Sequence, residues 1–240
     1  MNMETNLIEQ LNDSVGGYKK QLKVSKALGK ILPVAQWVTY GTILAAIVCI
    51  FSGDSCSISS LVDSIEHAHN KGILGALFCL MCFLLNYLIP FVNFYIIHAI
   101  DVSLKTVKPE YQVSEKMTAF VKWGYIVFGV LNILCEIEDI GEEIALLLFL
   151  FLIAFLVVEV IWVRRLSQKW SNLSLCHKKV AELLRNYVYL LIACVIVGII
   201  GGMISEGVGD FFNYVIAGGI DLYLFYQFST CYHEMSNVKL

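Results

Sequence analysis

The sequence predicts an all-α, polytopic integral membrane protein with six transmembrane helices, which form three antiparallel hairpins. The first reason is composition: 58% of the 240 residues are hydrophobic and only 15% are charged, whereas soluble domains are about 25% charged. One soluble core of this size cannot bury such an excess, because small domains leave much of their surface in water. The composition also excludes a disordered chain, and a net charge of −3 gives no reason to expect nucleic acid as a partner.

The second reason is a series of continuous apolar runs. A helix that crosses a bilayer needs about 20 mostly apolar residues, whereas a membrane β-strand needs only about 9–11 alternating ones. The runs that meet the helical criterion lie at residues 31–51, 72–100, 117–135, 144–163, 187–205 and 211–228. Their length and their lack of alternation predict helices.

The third reason is the sorting of positive charge. Lysines and arginines lie in residues 1–30, in the 101–122 and 164–186 connections and in the tail, with Lys71 as the exception. Basic residues next to a span favour the cytoplasmic side of the membrane. We therefore expect an even number of spans, both termini in the cytoplasm, and a location in a plasma or inner membrane.

The chain divides into a cytoplasmic N-terminal segment (1–30), a transmembrane domain (31–232) and a cytoplasmic tail (233–240). Within the first, residues 5–30 combine apolar side chains at helical spacing with clustered lysines, a pattern typical of an amphipathic helix at a membrane surface. Gly16-Gly17 predicts an interruption of that helix. The alternative is a partly ordered polar leader.

Catalytic and nucleotide-binding motifs are missing from the sequence. It has no G-x-x-x-x-G-K-[ST] loop, no G-x-S-x-G and no H-E-x-x-H, and no connection reaches the roughly 50 residues that a soluble domain needs. We therefore expect a protein that is not an enzyme and that carries no cofactor. A membrane redox or hydrolytic enzyme is the less favoured alternative.

Two acids lie inside the predicted spans. An ionised side chain at the centre of a bilayer costs about 2.5–3.5 kcal/mol on insertion scales, so such residues usually serve a function. Asp221 lies near the middle of the sixth span and has no base in its own helix, while Glu159 is nearer the cytoplasmic end of the fourth. For Glu159 the alternative is a structural ion pair with Lys122.

The second span combines polar residues with a proline. Asn86 and Asn93 flank Pro90, whose ring removes a backbone donor and kinks a helix. The freed carbonyl then needs a partner inside the membrane, and these asparagines can line a bent helix. The alternative for both, and for Asn132 and Asn213, is a hydrogen bond that holds two helices together.

Small residues in the fifth and sixth spans predict close helix packing beside Asp221. Glycine lets two helices approach each other closely, and the residues concerned are Gly198, Gly201, Gly202, Gly218 and Gly219.

A threefold hairpin repeat is a further hypothesis. Each first helix begins with a polar residue and an aromatic one: Gln36-Trp37, Lys122-Trp123 and Asn186-Tyr187. Each second helix carries a polar residue before its aromatic end: Asn93, Glu159 and Asp221. The alternative is that aromatic residues collect at membrane interfaces in unrelated helices.

The predicted outer side is acidic and carries the weaker candidate sites. Its ten acids should concentrate cations, although acids are also simply easier to translocate than bases. A metal site and a redox cysteine pair are both disfavoured by spacing and number. The residues concerned are Asp54, Asp63, Glu66, Glu136, Glu138, Asp139, Glu142, Glu143, Glu206 and Asp210 for the acids; Asp63, Glu66, His67 and His69 for the metal; and Cys79 with Cys82 for the redox pair. A disulfide between Cys56 and Cys135 is conceivable in an oxidising compartment.

Two intramembrane acids behind an acidic outer face predict a small transporter or channel for a cation or a proton-coupled solute. Its pathway would include Asp221, Glu159, Asn86 and Asn93. The alternative is a non-catalytic membrane subunit, or an oligomeric pore-forming effector, that anchors or responds to a cytoplasmic protein through 101–122 and 164–186. The lipid bilayer is the expected partner in both cases, and either is compatible with a homo-oligomer.

Overall fold

The computed structural model describes residues 2–52, 88–134, 141–205, 208–209 and 211–237. Within these ranges every regular element is helical and no strand occurs, which confirms the predicted all-α class. The elements are α1 (Asn2–Ser52), α2 (Leu88–Leu104), a 3₁₀ turn (Pro109–Tyr111), α3 (Glu115–Leu134), α4 (Gly141–Trp170), α5 (Leu175–Ile204), a π-helix (Phe211–Ile216) and α6 (Ala217–Asn237).

Three of these helices are long and apolar enough to cross a membrane. They contain the segments Glu115–Leu134, Leu146–Trp170 and Leu175–Ile204, which match the third, fourth and fifth predicted spans. Leu88–Leu104 is a shorter apolar helix, because the rest of the second predicted span lies outside the described residues. These helices indicate a membrane protein, as the composition predicts.

The N-terminal helix does not break at Gly16-Gly17. α1 runs without interruption from Asn2 to Ser52 and has Pro33 inside it, so the predicted interruption is wrong. A glycine inside a helix costs only about 1 kcal/mol. Tertiary packing offsets that cost, because Val24 and Leu28 are buried in the bundle core.

The helices also extend beyond the predicted spans at their basic ends. The 101–122 and 164–186 segments were expected to be connections, but α2 ends at Leu104, α3 begins at Glu115, and only residues 171–174 separate α4 from α5. An apolar run marks the length that lipid covers, whereas a helix can continue into water when its charged residues lie on an exposed face. The true connections are therefore short.

The order of packing brings the last helix onto the first. α3 packs on α4, α4 on α5, α5 on α6, and α6 on α1. α2 contains no exposed residue, and its C-terminal half supplies buried side chains such as Ile96, Ile97 and Ile100. α2 is thus the enclosed helix at this end of the bundle, where it contacts α3 through Phe94 and Trp123 and α5 through Asn93 and Tyr187.

Burial differs between the two ends of the long helices. At the end of the bundle that carries the basic residues, Trp162 and Trp170 of α4 and Phe225 and Phe228 of α6 have no exposed surface. Toward the other end the apolar side chains are exposed, for example Phe149 and Ile199. Lipid is as apolar as these side chains, so their exposure costs nothing in a membrane.

Candidate functional site

Two buried tyrosines each hold one of the predicted intramembrane acids. The Tyr125 hydroxyl on α3 donates a hydrogen bond to Glu159 Oε1 on α4. The Tyr187 hydroxyl on α5 donates to Asp221 Oδ1 on α6, at 2.7 Å. All four side chains are at most 6% exposed. Hydrogen bonds to an ionised acceptor are among the stronger ones in proteins, so each pair ties the two helices of one hairpin together.

Asn93 on the enclosed helix α2 joins the second pair. Its Nδ2 donates to the Tyr187 hydroxyl oxygen at 3.0 Å. Because that oxygen accepts from Asn93, the phenol proton is directed toward Asp221. Asn93 therefore orients the Tyr187–Asp221 pair, and the three residues form a chain across α2, α5 and α6.

The two pairs also interact with each other. The charge of Asp221 acts on Tyr125, and the charge of Glu159 acts on Tyr187. We call the five residues Asn93, Tyr125, Glu159, Tyr187 and Asp221 the acid cluster. Its members come from α2, α3, α4, α5 and α6.

Two buried oxygens of the acid cluster lack a hydrogen-bond partner among the described residues. These are Glu159 Oε2 and Asn93 Oδ1, in side chains that are 1% and 3% exposed. A buried polar atom without a partner costs about 1–3 kcal/mol, and native structures retain few of them. Such atoms therefore mark a place where a ligand can be received.

No base in the described part of the chain pairs with either acid. The alternative ion pair between Glu159 and Lys122 is wrong, because Lys122 Nζ bonds to Asp101 Oδ2 at 2.8 Å. Asp101 ends up there because α2 continues as a helix past its predicted end at residue 100 and brings the carboxylate against α3. Glu159 is left with the neutral Tyr125 as its described partner.

The ion pair at the end of α2 lies at the basic end of the bundle. Lys105 bridges Asp101 at 3.5 Å and Glu115 at 3.3 Å. Burial by itself raises the pKa of Asp101, but the hydrogen bond and charge of Lys122, together with Lys105, outweigh it and lower that pKa below its ordinary value. Asp101 therefore stays ionised at neutral pH and keeps Lys122 engaged.

Two members of the acid cluster lie close to basic residues in the sequence, although Tyr125 is near the middle of α3. Tyr125 follows Lys122 by three residues, and Tyr187 follows Arg185 by two, which corresponds to about 3–5 Å along a helix. The hydrogen bond to Tyr187 places Asp221 at the same level. The depth of Asp221 in a membrane, which the sequence places near the midplane, stays a prediction.

The two pairs occupy equivalent positions in their hairpins. Tyr125 and Glu159 are 34 residues apart, and so are Tyr187 and Asp221. The number of residues from Glu159 to Asp221 also separates three buried residues on α4 from three buried residues on α6. These are Trp162 and Leu224, Val163 and Phe225, and Leu166 and Phe228.

The same spacing recurs on α2, where Asn93 takes the position of the acid. Ile96, Ile97 and Ile100 follow it at the same intervals and are buried. The equivalence of Asn93, Glu159 and Asp221 in the predicted repeat therefore agrees with burial. The predicted equivalence of the aromatic residues in the first helix of each hairpin does not agree with burial, because Trp37 and Trp123 are 75% and 57% exposed whereas Tyr187 is buried. Tyr125, two residues later, is the counterpart of Tyr187.

The remaining polar residues of the second span have mixed outcomes. Asn86 lies outside the described residues. Pro90 is buried and is the third described residue of α2, so the turn that its ring would bend also lies outside. Asn132 is half-buried on α3, and the side chain of Asn213 is not described.

The glycines of the last hairpin contact two different partners. A Cβ at Gly201 would lie 2.8 Å from Val208 Cγ1, and one at Gly202 would lie 3.9 Å from the Gly209 Cα, so these two face the turn after α5. A Cβ at Gly218 would lie 3.0 Å from Ile43 Cγ1 on α1. Gly198 is buried, and a Cβ at Gly219 would meet nothing within 4 Å.

The weaker candidate sites fall outside what the structure describes. Asp63, Glu66, His67, His69 and the cysteines Cys56, Cys79, Cys82 and Cys135 are not described, and neither are the side chains of the ten outer acids. Among the described residues, no group of three or more His, Cys, Asp or Glu side chains is arranged to hold a metal ion.

Sequence reasoning missed the tyrosines and Asp101. Tyrosine is common at membrane interfaces, so Tyr125 and Tyr187 gave no separate signal. The signal that the sequence did contain is that each tyrosine precedes its acid by the same number of residues. Comparison with family models, with characterised proteins and with solved structures gives no match for this chain.

Proposed function

We propose that the chain is a small membrane transporter or channel for a cation or a proton-coupled solute, with Glu159 and Asp221 on its pathway. One observation carries the proposal: two carboxyl groups lie buried among apolar helices, each held by a tyrosine and neither paired with a base in the described part. Uncompensated acids are expensive in a membrane, and proteins keep them there mainly for transport or proton relay.

The topology that this proposal uses has six spans, with both termini in the cytoplasm of a plasma or inner membrane. Three long apolar helices support it, and the sorting of basic residues gives the orientation. In that orientation Lys122 and Arg185 would lie on the cytoplasmic side of the acid cluster, each within about a helical turn of one of its tyrosines. A path from the outer side would reach the acid cluster past the acidic connections and Asn86.

A flux measurement in proteoliposomes tests the assignment. We expect Asp221→Asn to reduce uptake of the transported cation, or of protons driven by a pH gradient, at least tenfold. Glu110→Gln is the matched control, because Glu110 is an exposed carboxyl in the 3₁₀ turn. Both variants should elute as the wild type does in size-exclusion chromatography. Equal flux in the wild type and in Asp221→Asn would refute the assignment.

A second candidate function is a membrane subunit that anchors an acidic cytoplasmic protein. The observation that favours it is a set of lysines on α1, which we call the lysine stripe. Spacings of four, three and four residues place them on one helix face, opposite the buried Val24 and Leu28, and all are exposed and without an ion pair in the described ranges. They are Lys19, Lys23, Lys26 and Lys30.

Purification from native membranes separates the two candidates. A soluble acidic protein that co-purifies in stoichiometric amount, and is lost when the lysine stripe is changed to glutamine, would favour the anchoring subunit. Purification of the chain alone, with normal flux after the same change, would favour the transporter. The exposed pairs Arg164-Arg165 and Lys178-Lys179 extend the surface that the second test should cover.

A further inference from the structure

The acid cluster offers few free ligand atoms. Among the described residues, Glu159 Oε2 and Asn93 Oδ1 are the buried oxygens of the cluster without a partner. The Tyr187 hydroxyl is already used twice, since it accepts from Asn93 and donates to Asp221. The Tyr125 hydroxyl donates to Glu159. The carboxylates of Glu159 and Asp221 and the Asn93 amide oxygen are therefore the acceptors that the acid cluster presents to a ligand.

The candidate cations differ in the number of oxygen ligands that they require. A calcium ion takes about six to eight oxygen ligands, and magnesium requires near-octahedral coordination. The acid cluster supplies two carboxylates, one amide oxygen and two phenols, and among the described residues no group of three or more His, Cys, Asp or Glu side chains is arranged to hold a metal ion. A proton needs one oxygen, with which it forms a covalent O–H bond.

We propose that the ion bound by the acid cluster is the proton, received on the carboxylates of Glu159 and Asp221. At Glu159 an O–H bond forms at Oε2, the negative charge of the carboxylate is neutralised, and Tyr125 keeps its own proton while it donates to Oε1. Asp221 takes the second proton in the same way beside Tyr187. Each proton returns to solvent when its O–H bond breaks.

The groups around each acid are compatible with this role. Glu159 faces Tyr125 from α3 and interacts with Tyr187 from α5. Asp221 faces Tyr187, interacts with Tyr125 and with Cys194 of α5, and is linked to Asn93 of α2 through Tyr187. α1 packs on α6 and brings Thr39 and Ile43 against Gly218, neither of which is charged.

The nearest described base is already engaged. Lys122 lies one turn from Tyr125 but is bound to Asp101 at 2.8 Å. His98 on α2 interacts with Lys122 and Asp101 and belongs to that group at the end of the helix. The carboxylates of the acid cluster thus have no fixed counter-charge in the described chain, and a proton is the ligand that can neutralise them singly.

The role of these protons in transport rests on the proposed function, but proton binding itself can be measured at equilibrium, without any transport. Infrared difference spectroscopy of the purified chain in nanodiscs follows the C=O stretching band of protonated carboxyl groups as pH is raised. We expect Glu159→Gln and Asp221→Asn each to remove one titrating band. Glu110→Gln should retain both bands, because its carboxyl is exposed and lies outside the acid cluster.

The conservative variants Tyr125→Phe and Tyr187→Phe keep the experiment decisive if an acid variant does not fold. Loss of the Tyr125 donor should shift the Glu159 band and leave the Asp221 band in place, and Tyr187→Phe should do the reverse. A wild-type titration with Na⁺, K⁺, Mg²⁺ and Ca²⁺ at fixed pH needs no variant and should leave both bands unchanged.

Two results would overturn the proton assignment: spectra of both acid variants that titrate as the wild type does, or a carboxyl band that a metal cation displaces at fixed pH. Either would leave the flux result of Asp221→Asn standing. Conversely, if the carboxyl bands titrate as expected but Asp221→Asn leaves flux unchanged, the proton site would stand and the transport function would be refuted.

Discussion

The two tyrosine–acid pairs both join a buried tyrosine to a buried carboxyl group at the same sequence interval, yet they are held differently. The Tyr187–Asp221 pair is anchored by Asn93 from the enclosed helix α2. The Tyr125–Glu159 pair has no such donor among the described residues and keeps Glu159 Oε2 without a partner.

The two similar hairpins therefore depend on different neighbouring residues for the position of their acids. The Asp221 half is oriented by α2, so a change in the position of α2 acts on it first. The Glu159 half depends on the packing between α3 and α4, where the ring of Phe155 lies against Tyr125 at 5.1 Å between centroids. The comparison can be tested by perturbing each support separately.

The largest effect should come from the support of the Glu159 half. A Cβ at Gly124 would overlap the ring of Phe155, so we expect Gly124→Ala to lower the free energy of unfolding by about 1–3 kcal/mol, the usual cost of overpacking. The measurement is reversible unfolding in mixed micelles. Gly219→Ala is the control, because a Cβ there meets nothing within 4 Å. Equal stability of Gly124→Ala and Gly219→Ala would contradict the described packing.

The support of the Asp221 half is tested at Asn93. Replacing Asn93 with leucine removes the donor to Tyr187 and leaves a buried hydroxyl oxygen unsatisfied, which costs about 1–3 kcal/mol. A double-mutant cycle locates the effect. We expect Asn93→Leu to couple with Tyr187→Phe by at least about 0.5 kcal/mol and to add independently with Tyr125→Phe. Coupling of the same size with both tyrosines would remove the distinction between the halves.

The smallest effect should come from the ion pair at the end of α2. Because the pKa of Asp101 is lowered by Lys122 and Lys105 against the opposing effect of burial, the pair contributes stability above the ordinary aspartate pKa and loses it as pH falls through the lower folded value. The Lys122 and Asp101 side chains are only 14% and 9% exposed, but asparagine in place of Asp101 keeps an acceptor for Lys122, so we expect a loss of about 1 kcal/mol, the difference between a hydrogen bond to a charged group and one to a neutral group.

Unfolding of the wild type and of Asp101→Asn between neutral pH and about pH 3, below the ordinary aspartate pKa, measures this contribution. The wild type should be the more stable at neutral pH, and the difference should shrink as the solution is acidified. A difference that stays constant with pH would show that Asp101 does not act through its charge.

Composition and apolar run length predicted the helical class and the three long apolar helices, because lipid imposes both on the chain. They did not predict helix ends. α2 and α3 extend into the basic 101–122 segment, since the charges there lie on helices and not in a loop. Asp101 was therefore assigned to a connection, and Lys122 was given Glu159 as its alternative partner.

The acids and Asn93 could be found from sequence because polar residues are rare inside apolar runs. Their partners could not, because hydrogen bonding depends on the rotation of each helix about its axis. Tyr125 and Trp123 are two residues apart on α3 and face nearly opposite directions, one into the acid cluster and the other outward at 57% exposure. A pattern of residue types along the chain does not distinguish these two aromatics.

The uninterrupted α1 makes the N-terminal part of the chain a stiff rod. Its 51 residues span about 76 Å at 1.5 Å per residue, more than twice the roughly 30 Å of a bilayer's hydrocarbon core. A helix of this length that crossed a bilayer close to its normal would extend well beyond the hydrocarbon core. Pro33 is the position at which such a helix bends most easily, and on its C-terminal side Thr39 and Ile43 pack against Gly218 of α6, so a bend there would change how α1 meets the helix that carries Asp221.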